Sequence, residues 1–183
     1  MIGDLPTTLN VAGVDCPIRY RFKDCLTIMQ AFEDDSLSND EKILIMLDIL
    51  YEEDEFGEDT ILEAVDKAIW FLSQGNTQPV KEEKPLSRLD KDEQLIFAAV
   101  NEVAHTDIRT DDNMHYWTYL SYMQAISSHS LFASIVRIRE KRNKGLKLEP
   151  EEKKFYKEHK EMIDLQDPTE EDKVFVDFIN SIT

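Results

Sequence analysis

Residues 38–50, SNDEKILIMLDIL, join a helix-start signal to a helical run of apolar side chains. Ser38 can accept a hydrogen bond from the first-turn amides, and Glu41 can reach back to the Ser38 amide, which is the pattern of a capping box. Apolar side chains then recur at the helical period on one face: Ile43, Met46, Leu47 and Leu50. Because Ile45 and Ile49 lie on other faces, we predict a helix that is buried on more than one side.

Apolar residues alternate with polar ones in the stretch before this helix, which is typical of strands. The alternating positions are Leu9 and Val11, then Ile18 and Tyr20. We predict a short β-hairpin that turns at residues 13–15. Pro17 has no amide hydrogen to donate to a ladder, so its strand must be an edge or must be just beginning.

The helical period recurs along the rest of the chain. These segments begin near Phe22, Asp59, Asp90, Tyr116, Phe132, Glu151 and Thr169. Phe22, Leu26, Met29 and Phe32 form the apolar face of the first of them. Gly75 can end a helix, Asp90 can cap the next one, and Pro150 can open the one after residue 150. The sequence therefore predicts a mainly α fold, with a short N-terminal β-hairpin followed by about seven or eight helices.

Residues 76–87 are the best candidate for a linker. They contain two prolines around the charged run Lys81–Lys84 and have little to bury. We predict a small α+β N-terminal part over residues 1–75 and a helical C-terminal part over residues 88–183.

The charge of the chain is strongly acidic, with 38 Asp and Glu residues against 21 Lys and Arg residues and a formal net charge of -17. Such a surface repels nucleic-acid phosphates and anionic membranes, so neither is expected as a partner. It favours solubility, and it favours a basic partner if the protein has one, the alternative being that the acidity only keeps the protein soluble. Cys16 and Cys25 fit neither a CxxC motif nor a zinc pair, and we expect reduced thiols.

No recognisable catalytic or metal-binding pattern occurs in the sequence. The four histidines, His105, His115, His129 and His159, lack the helical spacing of metal ligands. Five glycines cannot assemble a phosphate loop, and no nucleophile elbow is present. We therefore predict a protein without catalytic residues, metal or cofactor. An enzyme with an unrecognised site stays open as a hypothesis of another class.

One aromatic group and one basic run stand out. The aromatic residues Tyr116, Trp117, Tyr119 and Tyr122 could stack nucleic-acid bases, but aromatic stripes at helical spacing are more often core. We expect Trp117 to be mostly buried in the C-terminal part. The basic run from Arg137 to Lys147 is interpreted as a solvated helix end or as an internal partner for the acidic N-terminal half.

Three stretches together resemble a known family. The first comprises Tyr20–Lys23, Phe32–Asp35 and Asp40–Lys42. The second is Ala68–Leu72 closed by Gly75. The third comprises Leu89–Asp92, Leu95–Ala99, His115–Trp117, Phe132–Arg139 and Phe155–Lys157. In order and spacing they resemble the bacteriophage gene-product-fifteen family of Gram-positive siphophages over most of residues 16–166.

This resemblance implies a tail assembly chaperone-like binding protein and brings no catalytic residues with it. Such a protein would hold the apolar helical tape measure protein in the host bacterial cytoplasm, during infection or prophage expression, until tail tube subunits polymerise. It would be absent from the mature virion. The alternative is a structural phage component, such as a head–tail connector or another virion protein. The tail tube protein is a further candidate partner, and self-association stays open.

A candidate partner-binding face lies near the end of the chain. Its apolar residues are spaced as on one side of a helix: Phe175, Phe178, Ile179 and Ile182. Ordinary packing of this helix onto the body of the protein is the competing interpretation.

Overall fold

The computed structural model describes residues 3–52, 56–76 and 84–165. The chain is mainly helical with an N-terminal two-stranded antiparallel hairpin, which confirms the predicted fold class. The elements in the described ranges are β1 (Thr8–Val11), β2 (Val14–Pro17), α1 (Phe22–Phe32), α2 (Asn39–Leu50), α3 (Ile61–Leu72), α4 (Leu89–Ala104), α5 (Tyr116–Gln124), α6 (Leu131–Asn143), α7 (Pro150–Glu158) and α8 (Lys160–Ile163). A short 3-10 helix, Ile108–Thr110, precedes α5. The predicted last helix, from Thr169, lies outside the described residues.

The hairpin turns earlier than predicted. Ala12 and Gly13 form the two-residue loop, with φ angles of 50° and 86°, and β2 starts directly after them at Val14. Two-residue hairpin loops of this kind need positive φ at both positions because only that backbone twist matches the flanking strands. The prediction at residues 13–15 was wrong by one residue because Gly13 closes the turn and does not open it.

The helix of residues 38–50 forms as predicted. Both halves of the capping box are present: Ser38 accepts from the Glu41 amide, and the Glu41 carboxylate accepts from the Ser38 amide. The buried apolar side chains of α2 are Met46, Leu47 and Leu50. In α1 the buried face is Phe22, Cys25 and Ile28, so the predicted inward positions Leu26, Met29 and Phe32 are only partly buried.

The end of α3 is a Schellman motif. The Gly75 amide donates to the Trp70 carbonyl at 2.8 Å, and the Gln74 amide donates to the Phe71 carbonyl at 3.1 Å. Gln74, with φ of 58°, is the first left-handed residue, and Gly75 follows it with φ of 76°. The helix therefore stops where Gly75 predicted, although the first residue to leave the helical conformation is Gln74.

The described residues fall into two compact units. The first unit contains residues 3–76 and 112–120, and the second contains residues 84–111 and 121–165. The first unit is built from the hairpin and α1 to α3, together with the start of α5. The predicted parts 1–75 and 88–183, with a linker at 76–87, stay a prediction.

A buried ion pair organises the second unit. The Arg139 guanidinium donates to both carboxylate oxygens of Asp92, at 2.6 and 2.9 Å, and both side chains are almost fully buried. Arg139 also donates to the backbone carbonyls of Leu86, Met162 and Ile163. It thereby joins α4, α6 and α8 through one side chain.

Asp92 also caps α4. Its carboxylate accepts from the Arg88 amide at the start of the helix, whereas the predicted cap, Asp90, pairs with the Arg88 side chain. The basic end of α6 pairs within the second unit: Lys141 with Glu152, Arg142 with Asp164, and Lys144 with Glu140. The interpretation of this run as an internal partner for the acidic N-terminal half was wrong for these three residues, because acidic residues of the same unit bind them.

Two short helices replace the single helix predicted after residue 150. Pro150 opens α7 at its first turn, as predicted, but the chain breaks at His159 before α8. Ile163 of α8 packs with Ile135 and Ile138 of α6 in an apolar cluster.

In the residues that the structure covers, no helix is long and apolar enough to cross a membrane.

Candidate functional site

Segments that are far apart in the sequence meet in the first unit. The Phe22 amide donates to the Met114 carbonyl at 3.0 Å, and the Tyr116 amide donates to the Tyr20 carbonyl at 2.8 Å. Arg21 and His115 thereby form an antiparallel bridge. The motif Tyr20–Lys23 is thus paired directly with the motif His115–Trp117.

The motif Ala68–Leu72 packs against Trp117, at the start of α5. The Phe71 ring stacks on the Trp117 ring, with 6.0 Å between centroids, and the Trp117 indole N–H donates to the Phe71 carbonyl at 2.8 Å. The Trp70 ring lies 5.5 Å from the Trp117 ring. The expectation that Trp117 belongs to the C-terminal part and is mostly buried was wrong. It lies in the first unit and is partly buried, because its partners are on α3.

His115 is held in one tautomer. Its Nδ1 accepts a hydrogen bond from the Trp117 amide at 3.0 Å, so Nδ1 carries no hydrogen, and Nε2–H donates to the Pro6 carbonyl 2.9 Å away. The ring also stacks on Tyr20, with 5.2 Å between centroids. Burial lowers the pKa of His115 below its usual value, although the bond to Pro6 opposes this shift. The neutral imidazole therefore links the N-terminal segment to the start of α5 through two hydrogen bonds.

An open groove of about 410 Å³ lies between β1 and α3, and we call it the β1–α3 groove. Its lining residues are Pro6, Thr8, Leu9 and Asn10 on one side and Asp66, Lys67, Ile69, Trp70 and Asn76 on the other. The rings of Tyr20, Trp70, Phe71, His115 and Trp117 form an aromatic cluster. This aromatic cluster anchors both walls, since His115 holds the Pro6 carbonyl and Trp117 packs against Trp70. Trp70 is 37% exposed, which is unusual for so large an apolar side chain.

The chemistry of this groove fits binding better than catalysis. Its lining offers backbone groups, the exposed indole of Trp70, one threonine hydroxyl, two asparagine amides and one side chain of each charge, and it contains no histidine that could serve as a general base. Exposed tryptophan side chains in concave surfaces are frequent energetic centres of protein interfaces. Over the described ranges, no group of three or more His, Cys, Asp and Glu residues is arranged to hold a metal ion.

The predicted site residues fall in other places. Phe175, Phe178, Ile179 and Ile182 lie outside the described residues. Tyr116 and Tyr119 are buried, and burial raises the pKa of both phenols, so the core interpretation is confirmed for these two. Cys16 and Cys25 are free buried thiols, and burial raises the pKa of Cys25, which makes it a poor nucleophile.

Sequence reasoning missed the groove altogether. Trp70 was seen only as part of a motif, and β1 was seen only as a strand with one apolar side. The available signal is the position of Trp70, which falls outside the inward face that the helical period predicts for this helix: Ile61, Val65, Ala68, Ile69 and Leu72. It could have marked an apolar side chain with no place in the core.

The comparisons with known proteins point to one family. The family model described as "Bacteriophage Gp15 protein" matches residues 1–165 of the chain. No curated protein and no solved structure matches it. The matched range takes in the whole described structure, including all the segments that meet at the aromatic cluster.

Proposed function

Because the chain belongs to the bacteriophage Gp15 family, a family of phage structural and assembly proteins, we propose that it acts as a tail assembly chaperone. In this role it holds an apolar helical segment of the tape measure protein until tail tube subunits polymerise around it. It acts in the host bacterial cytoplasm and leaves before the virion is complete. The family match over residues 1–165 carries this proposal. The family is of a structural type and is not known as enzymatic.

The physical need for such a protein lies in its client. A long chain with apolar helical stripes associates with itself before the tube exists, because exposed apolar patches aggregate. A holding protein has to cover those stripes and keep the complex dissolved. The net charge of -17 supports the second requirement, since strong net charge favours solubility.

Exposed apolar side chains in the first unit support the first requirement. Leu44 of α2 is 59% exposed and Leu62 of α3 is 64% exposed. Leu62 lies on the α3 face that also carries Asp66 and Trp70 of the β1–α3 groove, since these positions are four and eight residues apart. This face offers an apolar contact beside acidic groups.

The face of Phe175, Phe178, Ile179 and Ile182 stays part of the proposal as a second docking candidate. Its spacing would suit a helical client lying side by side with it. The direct probe is the pair of variants Phe178→Asp and Asp177→Ser, whose positions are adjacent in the sequence but would fall on different faces of the predicted helix. Weaker binding of the tape measure protein by Phe178→Asp alone would support the docking role.

The test uses cells infected with the phage that encodes this chain. Affinity purification of the tagged full chain should recover the tape measure protein, and mass spectrometry of purified virions should not detect the chain. The tail tube protein and a second copy of the chain are the next partners to look for in the same material. Abundant, stoichiometric chain in mature virions would overturn the proposal and favour the alternative of a structural component.

A further inference from the structure

One edge of the N-terminal hairpin is open. In a two-residue hairpin the residues that flank the loop, here Val11 and Val14, exchange both backbone hydrogen bonds, and the ladder then alternates. Leu9 therefore also points its N–H and C=O toward β2, whereas Thr8 and Asn10 point theirs away. The bond from the Ile18 amide to the Thr7 carbonyl, at 3.1 Å, fits this alternation.

The two outer edges of the hairpin differ. On the β2 side, the Pro17 carbonyl accepts from the Glu52 amide at 3.2 Å, and Ile18 bridges to Tyr51. On the β1 side, no strand in the described ranges pairs with Thr8 or Asn10. Unpaired strand edges are templates for further strands unless proteins block them. The open edge of β1 is one border of the β1–α3 groove.

From this arrangement we infer that the β1–α3 groove binds an extended segment of a partner protein, which adds to β1 as a third strand. The amides and carbonyls of Thr8 and Asn10 bond the incoming backbone, as in other strand-addition complexes. An apolar side chain of the segment packs on the exposed indole of Trp70. This binding mode takes extended chain, and it does not depend on the proposed helical client.

Charge identifies the occupant further. Asp66 lines the groove, Glu63 lies one turn before it on α3, and Asp15 pairs with Asn10 across the hairpin. Lys67 is the one cation among the lining residues. Opposite charges across an interface steer association and select partners. The groove therefore favours a segment that alternates apolar and basic side chains.

The same charges disfavour two other occupants. A second copy of the chain would bring a further net charge of -17 to an acidic rim. The chain's own residues 166–183 contain five carboxylates and one lysine, for a net charge of -4. Like charges brought together in this way weaken binding, so a basic segment of another protein remains the best occupant.

The probe for the test is the synthetic peptide acetyl-KVKVKVK-amide, with acetyl-EVEVEVE-amide as its charge-reversed control. Tryptophan fluorescence gives the affinity, and hydrogen exchange of the full chain gives the position of binding. The basic peptide should bind at least ten times more tightly than the acidic one. It should also slow exchange of the Thr8 and Asn10 amides.

A matched pair of variants isolates the strand edge. Asn10→Pro and Asn10→Ala both lose the side-chain bond to Asp15, but only Asn10→Pro loses the outward amide. Proline is tolerated where an edge N–H faces away from the ladder. Asn10→Pro should weaken peptide binding about tenfold or more relative to Asn10→Ala. A basic peptide N-methylated at alternate residues, prepared in both registers, makes the same test on the unchanged protein, and one register should lose binding to the same extent.

Three results would overturn the inference. The first is equal binding by Asn10→Pro and Asn10→Ala, together with equal binding of both methylated peptides. The second is protection that maps outside the β1–α3 groove. The third is slow exchange of the Thr8 and Asn10 amides without any peptide. If that protection rises with protein concentration, a second copy covers the edge, and if it does not, the chain's own residues do.

Discussion

The Nε2–H of His115 donates to the Pro6 carbonyl 2.9 Å away, across 109 residues of sequence. This bond holds one wall of the β1–α3 groove in place. The neutral ring is required by a second bond, in which Nδ1 accepts from the Trp117 amide, because a proton on Nδ1 would oppose that donor. Acid should therefore loosen the first unit at this point.

The stability of the first unit should fall on acidification. Burial lowers the pKa of folded His115, so between that pKa and the ordinary value near 6.5 the unfolded chain binds more protons than the folded one. Stability is complete above the unfolded pKa, declines as pH falls through this window and has lost the full contribution below the folded pKa. Urea unfolding followed by tryptophan fluorescence measures this, since Trp70 and Trp117 are the two tryptophans and both lie in the first unit.

The control separates His115 from other titrating groups. His115→Gln should remove much of the dependence between neutral pH and the folded pKa, whereas a change at the exposed His129 should leave it intact. If the stability of His115→Gln depends on pH as that of the wild type does, His115 is not the group responsible for the loss of stability in acid.

Replacing Asp92 should strongly destabilise the second unit. Asp92→Asn leaves the Arg139 guanidinium buried without its counter-charge, and breaking a buried pair in this way costs about 3–5 kcal/mol of the free energy of unfolding. Chemical denaturation followed by circular dichroism, together with hydrogen exchange in α4 and α6, measures the loss. The comparison is Asp90→Asn, because the Asp90 carboxylate is exposed and its ion pair with Arg88 should be worth about 0–1 kcal/mol. Similar stability of both variants would show that the buried pair does not hold these helices together.

The indole N–H of Trp117 should contribute to the stability of the first unit in addition to the packing of its ring. Trp117→Phe keeps an aromatic ring near Phe71 but removes the donor to the Phe71 carbonyl, which should cost about 1 kcal/mol for the hydrogen bond. Hydrogen exchange of the α3 amides measures the resulting change in the free energy of unfolding of the first unit. Wild-type or higher stability of Trp117→Phe would contradict the stabilising role of this hydrogen bond.

Glycine at the C-terminal end of α4 should increase the stability of the protein. His105 is exposed and has φ of 54°, a left-handed conformation that disfavours side chains with a Cβ atom. His105→Gly should raise the free energy of unfolding by about 0.5–1 kcal/mol, because the strain removed exceeds the entropy that glycine adds. Thr106→Gly, at the next exposed position, should give no gain. Denaturant midpoints of the two variants compare them directly, and a loss of stability in His105→Gly would be the contrary result.

Local signals predicted much of the fold. The Ser38 and Glu41 pattern lies within four residues, so it could be recognised without any tertiary information, and the same is true of Pro150 at the start of α7. The break at His159 was missed because the charged run around it keeps the same helical composition on both sides. The start of β2 was missed because the alternation of apolar residues is the same whether Gly13 is the first or the last residue of the turn.

Long-range pairs could not be predicted in this way. Asp92 and Arg139 are 47 residues apart, and Asp92 looked like one of many surface carboxylates. The meeting of Tyr20, Phe71 and Trp117 depends on three segments from distant parts of the chain. The register of the hairpin decides that Thr8 and Asn10 point their N–H and C=O away from β2, and a one-residue shift of the turn would have given that orientation to their neighbours.

Co-expression of the tape measure protein with and without this chain, in cells that contain no other phage protein, tests the central proposal most directly. The measured quantity is the soluble fraction of the tape measure protein, together with its co-elution with the chain in size-exclusion chromatography. The proposal predicts that the tape measure protein is mostly insoluble alone and becomes soluble in a complex with the chain. Equal solubility under both conditions, with no complex recovered, would contradict the chaperone function and leave a structural role in the particle.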